Sequence, residues 1–532
     1  MEDGTMTWSS GVSVEKLRRD GAAVAKVAGK QIALFFVDGQ VYACNNRCPH
    51  EGYPLREGTV NGACVLTCNW HGWKFDLKTG ANLFQGDRLR LYPTRLAEDM
   101  VMVDISDPPP EERQAQSLEH MRTAFDDHEY DRIAREVARL IKAGGDPSRA
   151  IVAAVHWSHD RFRFGMTHAF AGAEGWLRLH DRLKNDPERA LISIVEPVAY
   201  MAWDSLREPA RPFETGSAKF DRAEFAAAIE AQDEDKAVAM LRGALAAGTG
   251  FAGLERPLTA AALSHYADFG HSLIYVGHLG RLTARLGPEV EEPLLLALVR
   301  SLINSTREDL IPEFRQYRAM LDRWPQPPAN GPAPAPDYFR GHSVNKTMEL
   351  VVEAAASAAP ASLHTSLLGA AAAELLQFDT RVQRRTDNKA QENVGWLDFT
   401  HPITFANALR RLCHKYPEFW PAGLLQMGCF LGRSAPFVER DTPQEGWHLP
   451  GLPSLTSRAI DRIFDHGEPD YIHSVHLLKT YLAAEEEITA GLPPVITSMM
   501  LAAVNRYLHE PPKRRHVRRV AHQALEFVAL ED

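Results

Sequence analysis

The stretch from Asn45 to Gly80, NNRCPHEGYPLREGTVNGACVLTCNWHGWKFDLKTG, carries two Cys-His pairs, Cys48/His50 and Cys68/His71, and limits the fold more than any other part of the chain. The pattern is C-x-H, 17 residues, then C-x-x-H. Two thiols and two imidazoles at those spacings reach one centre only when two tight turns stand side by side, which calls for short antiparallel strands. The flanks agree. KQIALFFVDGQVYACNN alternates apolar and polar residues around Asp38-Gly39, a two-residue hairpin signal, and ACVLTCNWHGWKFDLKTG repeats the pattern, with Gly80 closing a turn. Four of the six cysteines (Cys44, Cys48, Cys64, Cys68) fall within 25 residues, and only Cys413 and Cys429 lie elsewhere; such clustering points to metal before disulfide. Two occupants suit the donor set. One is a [2Fe-2S] pair with thiolates on one iron and imidazoles on the other; the other is a structural zinc.

The wording of the two loops favours the cluster. CPHEGYPL and CNWHGWKFDLKTG resemble the cluster-binding loops of Rieske ferredoxins and oxygenase subunits, with Gly52, Leu55, Gly72, Trp73, Phe75 and Gly80 where that family has them. The resemblance covers residues 7 to 106 and implies that Cys48, His50, Cys68 and His71 hold a [2Fe-2S] cluster. High-potential respiratory Rieske proteins carry a further cysteine in each loop. Here those places hold Tyr53 and Trp70, and Cys44 and Cys64, which precede the loops, read as buried free thiols. A low-potential electron-transfer cluster follows.

The remainder reads differently. DISDPPPEERQAQ, from Asp104, has linker composition, so the expected organisation is a small antiparallel β domain over 1–106, a linker over 107–120 and a large all-α domain over 121–532. YDRIAREVARLIKAG, EDKAVAMLRGALAAG, EPLLLALVRSLI and PVITSMMLAAVNRYLHE all place apolar residues at helical spacing. A Pro-rich stretch at 323–340 is predicted as an exposed loop or a hinge between helical halves, and Glu439 to Ser454 as a second loop. A formal net charge of -10 argues against nucleic acid as the main partner. MEDGTMTWSSG lacks a leader pattern and no 18-residue apolar run occurs, so a cytoplasmic, membrane-free protein is expected.

Two familiar oxygen-activating patterns are missing. D-x-x-H-x(4)-H fails because Asp470 and His473 are followed by Leu478, and E-x-x-H occurs once, as Glu445/His448 inside a Pro/Gly loop. What remains is histidine, 20 of 22 lying outside the cluster loops. AAVHWSHDRFRFGMTHAF carries His156, His159 and His168; DFGHSLIYVGHLGRL carries His271 and His278; ASLHTSLLGAA, GWLDFTHPITFANALRRL and YIHSVHLLKTYLAAEEE carry His364, His401, and His473 with His476. Any one of these reads as a core or capping residue. Several sit in otherwise apolar stretches, where a neutral imidazole needs a partner.

FGHSLIYVGHL, LHTSLLG, DFTHPITFANAL and HLLKTYL, in that order, resemble the questin oxidase family, all-helical proteins that oxidatively open quinone rings in aromatic polyketide pathways. The resemblance spans residues 125 to 530 and nominates His159, His271, His364, His401 and His476 as ligands of a mononuclear non-haem Fe(II), with His159, His271 and His476 in catalytic roles. Which of His156, His159 and His168 serves stays open. Lys479 follows His476 by three positions, on the same helix face, and joins the nominated set as a neutral amine or a carbamate.

The expected activity is a natural-product oxygenase that uses O2 to hydroxylate or ring-cleave a small aromatic, quinone-like substrate. The chain has no G-x-G-x-x-G fingerprint, so the electrons come from NAD(P)H through a separate flavin reductase or ferredoxin; an oligomer is expected. Two other readings are a Rieske electron carrier with a helical docking domain, in which the basic run PPKRRHVRRV (511–520) meets an acidic partner, and a haem-binding or cofactor-free oxidase.

Overall fold

The computed structural model describes residues 7–84, 86–264, 270–307, 310–389, 392–464 and 470–509, and the basic run at 511–520 lies outside them. The chain divides into two compact units, residues 1–150 and 151–532. A small antiparallel β fold is followed by a large helical region, as the patterning of the sequence predicts.

In the first unit, β1 (Trp8–Ser13), β10 (Met100–Asp104) and β9 (Thr94–Ala97) form one sheet, in that order. A second joins β2 (Ala22–Val27), β3 (Lys30–Val37), β4 (Gln40–Asn45) and β8 (Leu91–Tyr92), and a third joins β5 (Thr59–Val60), β6 (Val65–Thr67) and β7 (Lys74–Asp76). The β3/β4 hairpin turns at the expected dipeptide: Val37 pairs with Gln40, while Asp38 and Gly39 take φ of 47° and 80°, the left-handed values that a two-residue turn requires. A short helix, α1 (Val14–Asp20), buries Leu17 in the core formed with Ile32, Leu34, Val101 and Val103. A second core, of Phe35, Leu55, Leu66, Phe75 and Leu77, encloses Cys44, Cys48, Cys64 and Cys68.

The expected linker is structured. Residues 110–126 form helix α2 (Pro110–Asp126), followed by α3 (Tyr130–Lys142), and both belong to the first unit. The triple proline reads as a spacer, but Pro110 occupies the first turn, where the missing N–H costs nothing, and Glu111 and Glu112 complement the helix dipole. The compact unit therefore extends to residue 150 instead of closing at 106.

The second unit is helical throughout its regular structure. Four of its helices position the site described below: His168–Arg182, His271–Leu286, Trp396–Lys415 and Tyr471–Thr489. Small residues let them approach. A Cβ on Gly172 would lie 2.3 Å from Val475, and one on Gly277 would lie 3.3 Å from Ala408. The Pro-rich stretch lies inside the 151–532 unit. It is strapped down by Gly331 N–H to the Ser357 carbonyl (3.0 Å), Ala333 N–H to Ser362 Oγ (2.8 Å) and Ser366 Oγ–H to the Pro334 carbonyl (2.5 Å). No helix among the described residues is long and apolar enough to cross a membrane.

Glu374, on the Pro360–Leu376 helix, is buried, and burial pushes its carboxyl up to about 8 against the opposing pull of Arg340 and Arg440. The folded state thus holds this proton more tightly than the unfolded chain. Its contribution to stability is intact below the unfolded value, near 4.5, and is lost as pH rises to about 8. Chemical denaturation of Glu374→Gln beside the parent protein should show a gap in favour of the variant that widens from pH 5 to pH 8.5. A gap independent of pH would contradict the assignment.

Candidate metal centres

The two Cys-His loops share one backbone design. Cys48 N–H donates to the Tyr53 carbonyl (2.8 Å) and Gly52 N–H to the Cys48 carbonyl (2.7 Å). In the second loop Cys68 N–H donates to the Trp73 carbonyl (2.8 Å) and Gly72 N–H to the Cys68 carbonyl (2.8 Å). Gly52 and Gly72 take φ of +78° and +74°, a turn that side-chain-bearing residues rarely make. The loops present buried Cys48 and Cys68 beneath the more exposed His50 and His71, whose Nδ1 atoms stand 3.2 Å apart. Trp73 stacks on His50 (centroids 4.5 Å, 19°). Tyr53 and Trp70 stack on each other (4.2 Å, 15°), so an aromatic contact joins the loops at the two positions where a disulfide is missing from the sequence.

The donor set fits a [2Fe-2S] cluster. Burial pushes the Cys48 thiol up to about 11, with Cys68 beside it adding to the effect, so a bound cation is what makes this pair ligate. Cys44 behaves as a plain buried thiol, pushed up by burial to about 12.

A second convergence lies in the helical unit: His168, His271, His401 and His476 bring one ring nitrogen each within 4.8 Å of one another. His401 Nε2 is 2.7 Å from His271 Nε2 and 3.3 Å from His476 Nε2, and Lys479 Nζ is 3.4 Å from His168 Nε2. The local sequence aims two of these rings by the same device. His401 Nδ1–H donates to the Leu397 carbonyl (2.5 Å) and His476 Nδ1–H to the Ile472 carbonyl (2.6 Å), each four residues back in its own helix. A carbonyl only accepts, so these contacts fix the tautomer and leave both Nε2 lone pairs facing the centre. Two lone pairs at 3.3 Å repel each other unless a cation or proton lies between them. His168 and His271 open their helices. Thr167 caps the first, and Gly270 precedes the second at φ +77°, packed so closely that a Cβ would meet Phe405 at 2.5 Å.

Burial above all drives the His168, His401 and His476 imidazoles well below their ordinary pKa, which keeps them in the neutral, ligating form. Imidazoles in that form suit a divalent transition metal. A cleft of about 290 Å³ at the start of the Tyr471–Thr489 helix is lined by Tyr200, Trp203, Asp204, Asp470, Tyr471 and Ile472. Tyr200 stacks on Tyr471 (5.3 Å, 16°), and Thr167 Oγ1–H donates to Asp204 (2.8 Å), whose carboxyl burial raises to about 6.

Of the nominated ligands, His271, His401 and His476 meet at this centre, with Lys479 at its edge. His159 does not reach it. Its helix ends at Ser158, and the ring donates to the His156 carbonyl (3.2 Å) and stacks on Phe213. His168 takes that place, and its signal in the sequence was the cap Thr167 before an apolar helix. His364 also lies apart, its Nε2 bonded to the Ala406 carbonyl (3.0 Å) and its ring against Trp420. His278 pairs with Glu174 (3.0 Å).

Comparison with known proteins bears on the first centre. The Rieske [2Fe-2S] domain model matches residues 7–87. The ferredoxin component of the naphthalene 1,2-dioxygenase system of Pseudomonas putida is 29% identical over 104 residues, 19% of this chain and 99% of that protein. The biphenyl dioxygenase ferredoxin subunit of Pseudomonas sp. (strain KKS102) is 30% identical over 103 residues, 19% of this chain and 94% of that one. The 4beta-methylsterol monooxygenase of Methylococcus capsulatus is 35% identical over 92 residues, 15% of this chain and 25% of that protein.

Metal analysis separates the two centres. His401→Ala and His476→Ala should each lower iron per chain while leaving acid-labile sulfide unchanged, whereas Cys48→Ser should remove the sulfide. His159→Ala and His364→Gln should keep the full iron content. Iron loss in His159→Ala with retention in His401→Ala would overturn the ligand set.

Proposed function

With residues 7–87 belonging to the Rieske [2Fe-2S] domain family, we propose that the chain is a Rieske-dependent non-haem iron oxygenase acting on a small aromatic, quinone-like substrate. The observation that carries this reading is the convergence of four buried imidazoles in the unit beyond the Rieske domain. A pure electron carrier has no use for such a centre. When bound, the cluster at Cys48, His50, Cys68 and His71 supplies single electrons, and an iron at His168, His271, His401 and His476 supplies oxygen activation. The ferredoxin relatives come from aromatic dioxygenase systems, which supports electron supply from NAD(P)H through a separate reductase. The monooxygenase relative supports a Rieske segment working inside a longer oxygenase chain.

The chain's own residues give the rest. His168 and His271 are the first residues of their helices, and His401 and His476 lie within the first two turns of theirs, so four positive dipole ends meet at the site. That field favours an anionic oxygen on the substrate, such as a phenolate. Tyr200, Tyr471 and Trp203 offer a planar ring faces to stack on, and Asp204 offers a carboxyl that exchanges a proton near pH 6. The questin oxidase resemblance of residues 125–530 points to hydroxylation or carbon-carbon cleavage as the outcome.

Lys479 is buried beside His168 in a site with neutral ligands. An ammonium there is repelled by any metal dication, so the residue serves as a neutral amine or as a carbamate, formed when the amine adds to carbon dioxide and releases a proton. Lys479→Met should lower oxygen uptake at least tenfold without touching the Rieske EPR signal; unchanged uptake and iron content would remove Lys479 from the site.

The rival reading, an electron carrier, rests on the ferredoxin relatives, which this chain covers almost end to end. Reductase-coupled oxygen consumption with a polycyclic quinone or phenol as substrate tests the choice. His401→Ala should abolish uptake and product while cytochrome c reduction through the cluster continues. Uptake that survives in His401→Ala would favour the carrier reading.

A further inference from the structure

Asp87 is the last residue of the Rieske match, and its side chain is fully buried. The partners that bury it come from beyond the match. Arg132 Nε (3.1 Å), Arg135 Nε (2.9 Å) and Arg139 Nη2 (3.2 Å) all donate to its carboxylate. These arginines sit at i, i+3 and i+7 of α3, one face of one helix. Burial opposes the charge on Asp87, but Arg139 and Arg135 outweigh it and hold the carboxyl below the usual range.

One residue before Asp87, Gly86 takes φ +119°, and a Cβ there would lie 3.1 Å from the Trp73 ring. The backbone at Gly86 therefore rests on the edge of Trp73. The turn is closed at its base by Leu89 N–H to the Gly80 carbonyl (2.9 Å) and tied to β7 by Leu83 N–H to the Lys74 carbonyl (2.8 Å). Trp73 in turn lies flat on His50. A continuous chain of contacts thus runs from α3 through Asp87, Gly86 and Trp73 to an iron-binding imidazole.

We propose that α3, through Asp87, is a positioning element for the cluster: it clamps the backbone at Gly86 and Asp87 against Trp73, keeps that ring on His50, and so sets the cluster's shielding and reduction potential. The three arginines serve the electron-transfer site without touching it. Removing the carboxylate leaves the three guanidinium groups to their local partners Glu129, Asp131 and Glu136, with nothing tying them to the turn, which releases it. Shielding and hydrogen bonding around such a cluster are what tune its potential. The inference rests on the Rieske assignment alone and is independent of the helical centre.

The test uses the full-length, cluster-loaded protein. Asp87→Asn, the milder pair Arg135→Gln/Arg139→Gln on partly exposed side chains, and Gly86→Ala, which leaves every arginine in place, are compared with the parent. Redox titration followed by EPR should show altered g-values and at least a tenfold change in the reduction equilibrium, 59 mV for one electron. Hydrogen exchange over 74–89 should quicken in the first two. If Asp87→Asn fails to fold, the arginine pair and Gly86→Ala decide. Unchanged g-values and potential in variants that merely melt earlier would overturn the proposal and leave α3 a structural brace.

Discussion

The helical unit depends on one electrostatic constraint: imidazole lone pairs turned toward one another in a dry interior. His401 and His476 have no freedom to relieve it by swapping tautomers, since each Nδ1–H is committed to a carbonyl one turn back. Four helices must come close enough to share that point, and Gly172 and Gly277 at the crossings make room for them. The arrangement costs stability in the absence of a cation and gains it in its presence, so metal binding and packing of these helices are one equilibrium.

The cluster site solves a different problem with local means. Its ligands come from two loops close in sequence, built by the same pair of backbone hydrogen bonds and the same left-handed glycine. The Tyr53–Trp70 stack joins them. An aromatic pair holds two loops together without the covalent restraint of a disulfide. The loops therefore need outside support, which explains why the turn after β7 is packed so deliberately on Trp73.

This difference in construction decides what the sequence reveals. Cys48, His50, Cys68 and His71 are legible because ligands, glycines and shielding rings all fall within one short stretch. The four histidines come from helices scattered over some three hundred residues, and each alone has the look of a core residue. Order and approximate membership could be read for His271, His401 and His476. The family resemblance nominates His159 and leaves His156 and His168 open, whereas the chain leaves the helix at Ser158 and starts a new one at His168. Tertiary packing, not periodicity, chose between them. The linker was misread for a related reason: prolines at a helix start and prolines in a spacer are the same letters, and only the buried face of the following helices, with Arg132 on Asp87, distinguishes them.

Charge balance ties the helical site to its expected chemistry. Carboxylate-rich iron sites neutralise their metal, but here the ligands are neutral and four helix N-termini add positive potential. Such a centre is short of negative charge by design. Asp204 accepts from Thr167, the residue before His168, and Lys479 lies against His168, where a carbamate would bring a negative charge. On the proposed reading, the substrate would complete the balance with an anionic oxygen. On the reading proposed above, neutral ligands leave the metal hard to oxidise, and the Rieske domain of the same chain would supply its electrons one at a time.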